Sequence, residues 1–149
     1  MNKQLQLLTI LFLFVFQQII AQKNIISLDD LNPDIVWQLK PQASETASAA
    51  QISLPGFKMN DAVKAVVLGV VFTSYVEAGI EKDPNYADNI YRVDESFYNR
   101  PFWYRTEFKI PDSYKKGQKI WLHFDNTNRF ADFYFNGKKI SGSEQSMKD

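Results

Sequence analysis

The sequence predicts an all-β protein, an antiparallel β-sandwich with one short helix. The main observation is the alternation of residues over 102–110 between two faces, which is the period of two of a half-buried strand. The same alternation returns over 120–125 and again over 131–136. Asn136-Gly137 then supplies the strongest short hairpin signal, because both residues tolerate a positive φ.

The first part of the chain predicts shorter elements. Ile35–Leu39 (IVWQL) is typical of a strand, with Trp37 as its anchor, and Ala62–Val71 is apolar and β-branched, which favours a buried extended segment. Between them, Pro41–Gln51 is rich in Ala, Ser and Gln and predicts a surface loop. Leu54–Phe57 (LPGF) predicts a turn.

One helix and one long loop follow. Thr73–Gly79 predicts a short helix, with Thr73 capping its start and Gly79 taking the left-handed conformation past its end. Ile80–Asp94 (IEKDPNYADNIYRVD) holds acidic and turn-forming residues and predicts an irregular loop of fifteen residues. Loops of that length inside a compact domain are often functional.

The last part of the chain predicts strands with two distinct faces. In the first of them Phe102, Tyr104 and Phe108 are expected in the core, while Arg105 and Glu107 share the opposite face and are expected to form cross-strand pairs. A polar turn over Pro111–Lys119 precedes the next two strands, and the last one begins at Lys138–Ile140. These strands are too few for a closed eight-stranded sandwich, so we expect a domain that is incomplete at its C-terminus.

Composition excludes several classes of function. The 149 residues carry no net charge, which argues against a nucleic-acid partner, because a phosphate-binding face shows a basic excess. The absence of cysteine excludes thiolate metal sites and cysteine nucleophiles, and a single histidine argues against a histidine-rich metal site. The acidic residues Asp83, Asp88 and Asp94 do not match the spacing of a calcium loop. No metal and no cofactor is therefore predicted.

The N-terminus has the layout of a secretory signal. One lysine precedes an almost wholly apolar stretch, Leu5–Ile20, and Ala21 follows as a small residue suited to cleavage. The stretch is interrupted by two glutamines and is shorter than the roughly 20 residues of a membrane span. We expect a signal peptide over 1–21, a mature domain over 22–149, no membrane span after cleavage, and a periplasmic or secreted product.

Three stretches carry a resemblance to a known family: TSYVEAGIEKDPNYADN (73–89), NRPFWYRTEFKIP (99–111) and KIWLHFDNTNRFADFYFNGKKI (119–140). Together they resemble the N-terminal sugar-binding domain of glycoside hydrolase family two, above all its exported β-mannosidase and exo-β-glucosaminidase branch. The resemblance implies a galactose-binding-like jelly roll. It also implies that the full-length protein is a retaining glycosidase, whose chemistry uses two carboxyl groups about 5 Å apart.

The same resemblance indicates where substrate would bind. In the family both catalytic carboxyls are glutamates of a barrel that this chain lacks, so no catalytic residue is assigned and enzyme activity of the chain itself stays open. The candidate substrate-binding residues, in the full-length enzyme, are Asp88, Asn89, Asn99, Arg100 and Trp103. The alternatives are that Asp88 and Asn89 only form turn bonds, and that Trp103 packs against a neighbouring loop or domain.

Three functions remain open. The first is the N-terminal carbohydrate-binding fragment of an exported family-two glycosidase for terminal β-linked mannose, glucosamine or galactose, with the missing barrel and sandwich domains as partners. The second is a stand-alone carbohydrate-binding module, favoured by the aromatic density of FYNRPFWYRTEF (97–108). The third is the non-functional remnant of a truncated gene.

Overall fold

The structure, a computed structural model, consists of two small antiparallel sheets joined by short helices and turns, and it describes residues 25–112, 114, 117, 119–125, 127 and 130–143. The strands are β1 (Gln38–Pro41), β2 (Val63–Lys64), β3 (Phe102–Arg105), β4 (Ala131–Phe135) and β5 (Lys138–Ser143). The α-helices are α1 (Ala49–Ile52), α2 (Val71–Glu77) and α3 (Glu95–Tyr98), with 3₁₀-helical turns at Gln42–Ser44 and Asn89–Arg92. The predicted signal peptide over 1–21 lies outside the described residues.

The first sheet has the strand order β2-β1-β3, and β1 pairs antiparallel with both neighbours. Leu39 lies on this central strand opposite Tyr104 of β3, and its side chain is fully buried. The all-β class and the antiparallel arrangement predicted from the alternating pattern are confirmed. The number of helices was predicted wrongly, since the described residues form three short α-helices where one was expected.

The core lies between this sheet and the helices α2 and α3. Leu39, Ala65 and Tyr75 form its buried centre. The Tyr75 ring meets three others edge to face, with centroid distances of 5.2 Å to Phe97, 5.7 Å to Tyr98 and 6.4 Å to Phe102. Edge-to-face geometry is the arrangement that the charge distribution of aromatic rings favours. Three of the six aromatic residues in the stretch 97–108 therefore belong to the core, as predicted for Phe102.

The second sheet is the hairpin of β4 and β5. Asn136 and Gly137 both have positive φ, 48° and 84°, as the sequence predicted for a two-residue hairpin turn. Two ring pairs connect this hairpin to the β3 segment: Trp103 with Tyr134 at 6.5 Å and Phe108 with Phe135 at 6.3 Å between centroids. These contacts place Trp103 at the junction of the two sheets.

β3 does not separate apolar and polar faces as predicted. The strand ends at Arg105, and Tyr104, expected in the core, is 40% exposed. Arg105, expected on the outer face, is only 9% exposed and donates to the carbonyl oxygens of Ile52 and Leu54. It also forms an ion pair with Glu107, two positions later in the chain, and not with a residue of a neighbouring strand as predicted. The guanidinium can be buried because it donates to these carbonyls at the end of α1. The Leu54 carbonyl also accepts from the amide of Phe57, whereas among the described residues Arg105 is the one donor to the Ile52 carbonyl outside its own helix.

The first predicted strand lies later in the chain than expected, at Gln38–Pro41, and Trp37 precedes it. The Trp37 indole donates to the carbonyl of Leu28 and its ring packs against the core, so it anchors the chain before the strand. The predicted loop Pro41–Gln51 contains α1, which a capping box begins: Ser48 accepts from the amide of Gln51, whose side chain accepts in return from the amide of Ser48.

The segment Ala62–Val71 is not a single buried strand. Only Val63–Lys64 pairs with β1, and the chain then turns through Leu68, which has φ 79° and an exposed side chain. α2 begins at Val71, so Thr73 lies inside the helix and does not cap it. Gly79 takes φ 71° past the helix end, as predicted.

The range 120–125, predicted as a strand, contains none in the structure. Ile120, Trp121 and Phe124 are exposed, and the described residues offer this segment no ladder partner. Of the predicted polar turn Pro111–Lys119, positions 113, 115, 116 and 118 lie outside the described residues. Among the described residues, no helix is long and apolar enough to cross a bilayer.

Candidate functional site

The loop after α2 is built from consecutive backbone turns. The amide of Tyr86 donates to the carbonyl of Asp83, that of Asn89 to Tyr86, and that of Tyr91 to Asp88. The predicted irregular loop Ile80–Asp94 is therefore more regular than expected and ends in a 3₁₀-helical turn. Short-range bonds of this kind hold a loop in one conformation without help from a sheet.

A surface cleft of about 210 Å³ lies in this loop. Its walls are formed by the residues Ile80, Glu81, Lys82, Asn89 and Arg92. The lining combines one apolar side chain with a carboxylate, an amide and two cations. Such a set can accept and donate hydrogen bonds around a small polar ligand.

Local bonds orient Asn89 and Asp88. The Asn89 side-chain amide donates to the carbonyl of Asp83 at 2.9 Å, so the turn-bond alternative holds for this donor. Within the described part of the chain its side-chain oxygen has no partner. Asp88 pairs at 2.8 Å with Arg92 one turn later, and both side chains are exposed. Asp88 thus orients Arg92 at the cleft.

A hydrogen bond connects the cleft to the core. The Tyr98 hydroxyl donates to Glu81 at 2.8 Å, and the Tyr98 ring belongs to the aromatic cluster around Tyr75. Burial raises the pKa of Tyr98 strongly, and the hydrogen bond to Glu81 raises it further. The hydroxyl therefore stays protonated as a donor, and one wall of the cleft is fixed to the rigid part of the domain.

Asn99 and Arg100 lie at the end of α3. Asn99 is exposed, and its amide closes the helix by donating to the carbonyl of Glu95 at 3.0 Å. The Arg100 guanidinium lies 5.0 Å from the Phe97 ring centre and donates to the carbonyl of Ser96. These contacts hold Asn99 and Arg100 against the end of α3.

Trp103 occupies a different place. Its side chain is half-buried on β3 and packs edge to face on Tyr134, so its described partner is the neighbouring hairpin. The Trp103 indole nitrogen is buried and has no hydrogen-bond partner among the described residues. No hydrogen bond or ring contact in the described part of the chain joins Trp103 to the other four candidates. Their common role in binding stays a prediction.

Sequence reasoning missed four of the cleft residues: Ile80, Glu81, Lys82 and Arg92. The spacing of Asn89 and Arg92 contains a signal, because residues three apart lie on one face of a 3₁₀-helical turn. The prediction of an irregular loop hid that relation. Glu81 carried no local signal, since its place depends on Tyr98, seventeen residues later.

The cleft residues are suited to binding more than to bond cleavage. Retaining hydrolysis needs two carboxyl groups about 5 Å apart, whereas Glu81 is the one carboxylate among the lining residues. Within the described ranges, no group of three or more His, Asp or Glu side chains is placed to hold a metal ion.

Comparison with known proteins identifies the family. Residues 37–147 match the family described as glycosyl hydrolase 2 galactose-binding domain-like. The chain belongs to this family. The match covers the core, the cleft and the two sheets, and it confirms both the resemblance and the galactose-binding-like fold.

Curated relatives of the glycosyl hydrolase 2 domain include three exo-β-D-glucosaminidases. The protein from Streptomyces avermitilis is 26% identical over 107 residues, covering 72% of this chain and 12% of its own. Those from Amycolatopsis orientalis and Hypocrea jecorina are 26% and 27% identical, covering 76% and 72% of this chain. The chain therefore spans about a tenth of the length of these relatives. No solved structure matches the chain.

Proposed function

We propose that this chain is the N-terminal carbohydrate-binding domain of an exported family-two glycoside hydrolase, with terminal β-linked glucosamine as its favoured sugar. The names of the three relatives support glucosamine over the β-linked mannose and galactose that the resemblance also allows. The family match supports a domain role, since it covers residues 37–147 and includes the whole cleft.

The observation that carries the proposal is the cleft. Asn89 presents an amide oxygen, Arg92 presents guanidinium donors and Glu81 presents a carboxylate. These groups surround a space of about 210 Å³. Sugar hydroxyls both donate and accept hydrogen bonds, and an amino sugar adds a cation that a carboxylate attracts. The domain would supply one wall of the pocket for the terminal sugar.

Hydrolysis belongs to other domains in this proposal. The chain spans about a tenth of the length of its relatives, and a barrel with the two carboxyl groups would complete the enzyme. The purified 149-residue chain should show no turnover of nitrophenyl β-glucosaminide. Measurable hydrolysis by this chain would contradict the proposal.

Export is part of the same proposal. The apolar N-terminal stretch and Ala21 support cleavage of residues 1–21 and a periplasmic or secreted product. N-terminal sequencing of the product from its own cells should begin at or near Gln22. A product that still begins at Met1 and remains inside the cell would exclude export.

The binding test is a calorimetric titration with methyl β-D-glucosaminide, methyl β-D-mannoside and methyl β-D-galactoside. We expect a Kd on the order of 1 mM, typical of one sugar in a small cleft, and the tightest binding for the glucosaminide. Asn89→Ala should weaken binding roughly tenfold, because it removes a hydrogen bond to the sugar. Asn60→Ala, an exposed asparagine outside the cleft, is the matched control. No heat with any of the three sugars would rule out the proposal.

A second function is favoured by one observation. The five lining residues of the cleft all lie within positions 80–92, so one local segment of the chain forms its walls. A stand-alone carbohydrate-binding module is therefore the alternative. Reading the gene past codon 149 and sizing the product distinguishes the two: a frame that continues into a barrel supports the enzyme domain, and a stop supports the module.

A further inference from the structure

One hydrogen bond joins the carboxylate of the cleft to the aromatic core. The Tyr98 hydroxyl donates to one carboxylate oxygen of Glu81 at 2.8 Å, and this bond is partly buried. The other carboxylate oxygen of Glu81 has no hydrogen-bond partner among the described residues. Because Glu81 also lines the cleft, it brings a carboxylate with one held and one free oxygen to the proposed sugar site.

The backbone and the side chain of Glu81 are both fixed to helices of the core. The amide of Glu81 donates to the carbonyl of Tyr75 in α2 at 3.1 Å. The Tyr98 ring in α3 meets Phe72 and Phe97 edge to face, with centroid distances of 5.1 Å and 5.0 Å. The hydroxyl that holds the carboxylate is therefore itself held by packed rings.

Two cations line the same cleft and could pair with this carboxylate. They are Lys82 and Arg92. In the part of the chain that the structure describes, Glu81 forms an ion pair with neither of them, and Arg92 instead pairs with Asp88 at 2.8 Å. The bond from Tyr98 holds the carboxylate in the position where it forms neither pair and remains available to a ligand.

A carboxylate that is already ordered favours a cationic ligand. An exposed ion pair usually contributes little, because two flexible side chains must be ordered to form it. A carboxylate that the protein has fixed beforehand does not incur its share of that cost when the ligand binds. A neutral hydroxyl gains less from the same carboxylate, since charge-assisted hydrogen bonds are the stronger ones.

We propose that Tyr98 is a positioning residue that sets the preference of the cleft for an amino sugar over a neutral sugar, by holding the Glu81 carboxylate away from the neighbouring cations. This inference rests on the proposed function and deepens it, since it assigns the preference for a cationic sugar to one hydrogen bond. Tyr98 is not among the residues that line the cleft, so it acts on the sugar only through Glu81.

The test is a calorimetric titration of the full chain with methyl β-D-glucosaminide and methyl β-D-glucoside, which differ only in an amino or a hydroxyl group. It is run at about pH 6, where an amine is protonated and a carboxyl is ionised. The wild type should bind the glucosaminide about fivefold tighter. Tyr98→Phe keeps the ring and should remove most of this preference, while the affinity for the glucoside changes less than about twofold.

Three further variants show whether Tyr98 acts through Glu81. Glu81→Gln removes the charge and should abolish the preference. Adding Tyr98→Phe to Glu81→Gln should change the preference no further, because the two side chains act as one unit. Tyr75→Phe is the matched control and should keep the preference, since Tyr75 belongs to the same ring cluster but its hydroxyl has no hydrogen bond among the described residues.

The outcomes separate this inference from the proposed function. Thermal unfolding of each variant shows that the fold is kept. The positioning role is excluded, and the carbohydrate-binding role stands, if the wild type shows no preference, if Tyr98→Phe keeps the preference, or if that variant weakens binding of both sugars equally. If the wild type binds neither sugar, both proposals fail.

Discussion

At the scale of single residues, Arg105 is the one charged residue of the described chain that is buried. Its guanidinium lies against the Phe57 ring at 5.8 Å and donates to two carbonyls more than fifty positions earlier in the chain. It thereby fastens the end of α1 to β3. A planar group with five donors suits this task, which a lysine ammonium with its single point of charge does not.

Arg105→Leu should lower the free energy of unfolding by about 3 kcal/mol, because it removes the donor of the Ile52 carbonyl, one of the two donors of the Leu54 carbonyl and the partner of Glu107. Urea denaturation measures the change. Arg92→Leu removes an exposed ion pair and should cost about 1 kcal/mol or less. Equal losses in the two variants would show that burial of Arg105 does not matter.

Glu107 makes stability depend on pH. Its hydrogen bond from Arg105, and then the one from the amide of Gly56, lower the pKa of its carboxyl below the ordinary value. A carboxyl with a lowered pKa stabilises the fold above its unfolded-state pKa, and that contribution is lost as the pH falls through the folded-state pKa.

Glu107→Gln should therefore reduce stability at neutral pH and flatten the acid limb of the stability curve. Urea unfolding of wild type and variant from pH 7 to pH 3 measures this, and the two curves should converge toward low pH. Curves that stay parallel over the whole range would mean that Glu107 does not contribute through its charge.

At the scale of elements, the hairpin of β4 and β5 is held by its turn and by contacts with the α1 segment. The amide of Gly137 donates to the Ser53 hydroxyl at 3.0 Å, so the turn that closes the hairpin also binds the end of α1. Added to the Trp103 and Phe108 ring pairs, this bond makes the hairpin turn part of the connection between the sheets.

Gly137→Ala should destabilise the protein by more than Gly79→Ala. Both glycines have positive φ, 84° and 71°, and each substitution costs about 1 kcal/mol for that backbone alone. A Cβ at Gly137 would lie 3.0 Å from a methyl carbon of Leu54, whereas one at Gly79 meets nothing within 4 Å. Chemical unfolding of the two variants isolates the contact, and equal losses would mean that Leu54 moves aside freely.

At the scale of the whole molecule, large apolar side chains remain exposed in the C-terminal part of the described chain. Those of the range 120–140 are Ile120, Trp121, Leu122, Phe124, Phe130, Phe135 and Ile140. Exposed apolar surface of this kind marks a contact surface or a tendency to associate. The small two-stranded sheet, to which Phe135 and Ile140 belong, also has unpaired edges among the described residues.

The chain should therefore associate as its concentration rises, and Trp121→Ser should weaken that association. The side chain is 81% exposed, so its removal costs little folding energy and takes away apolar surface. Sedimentation velocity over a concentration series measures the effect. Leu31→Ser, an equally exposed apolar residue near the other end, is the control and should change little. An unchanged distribution for Trp121→Ser would exclude this surface.

The sequence by itself determined the features that depend on near neighbours. Alternation predicted β3 and β4, Asn136-Gly137 predicted the hairpin turn, Gly79 predicted the end of α2, and three motif stretches indicated the family. The strands, the hairpin turn and the helix end each follow from residues a few positions apart, whose pattern is visible in one strand or one turn.

Only the tertiary structure decided which faces are buried and which residues meet. It exposed Tyr104, and it buried Arg105 because the Ile52 carbonyl at the end of α1 needs a donor and only the fold brings that carbonyl to β3. It formed the cleft by bringing Asn89 to Glu81, and it placed Trp103 against Tyr134. The Arg105 and Trp103 contacts join segments far apart in sequence, and the cleft depends on the bond between Glu81 and Tyr98, seventeen positions later, so their geometry depends on the packing of the domain.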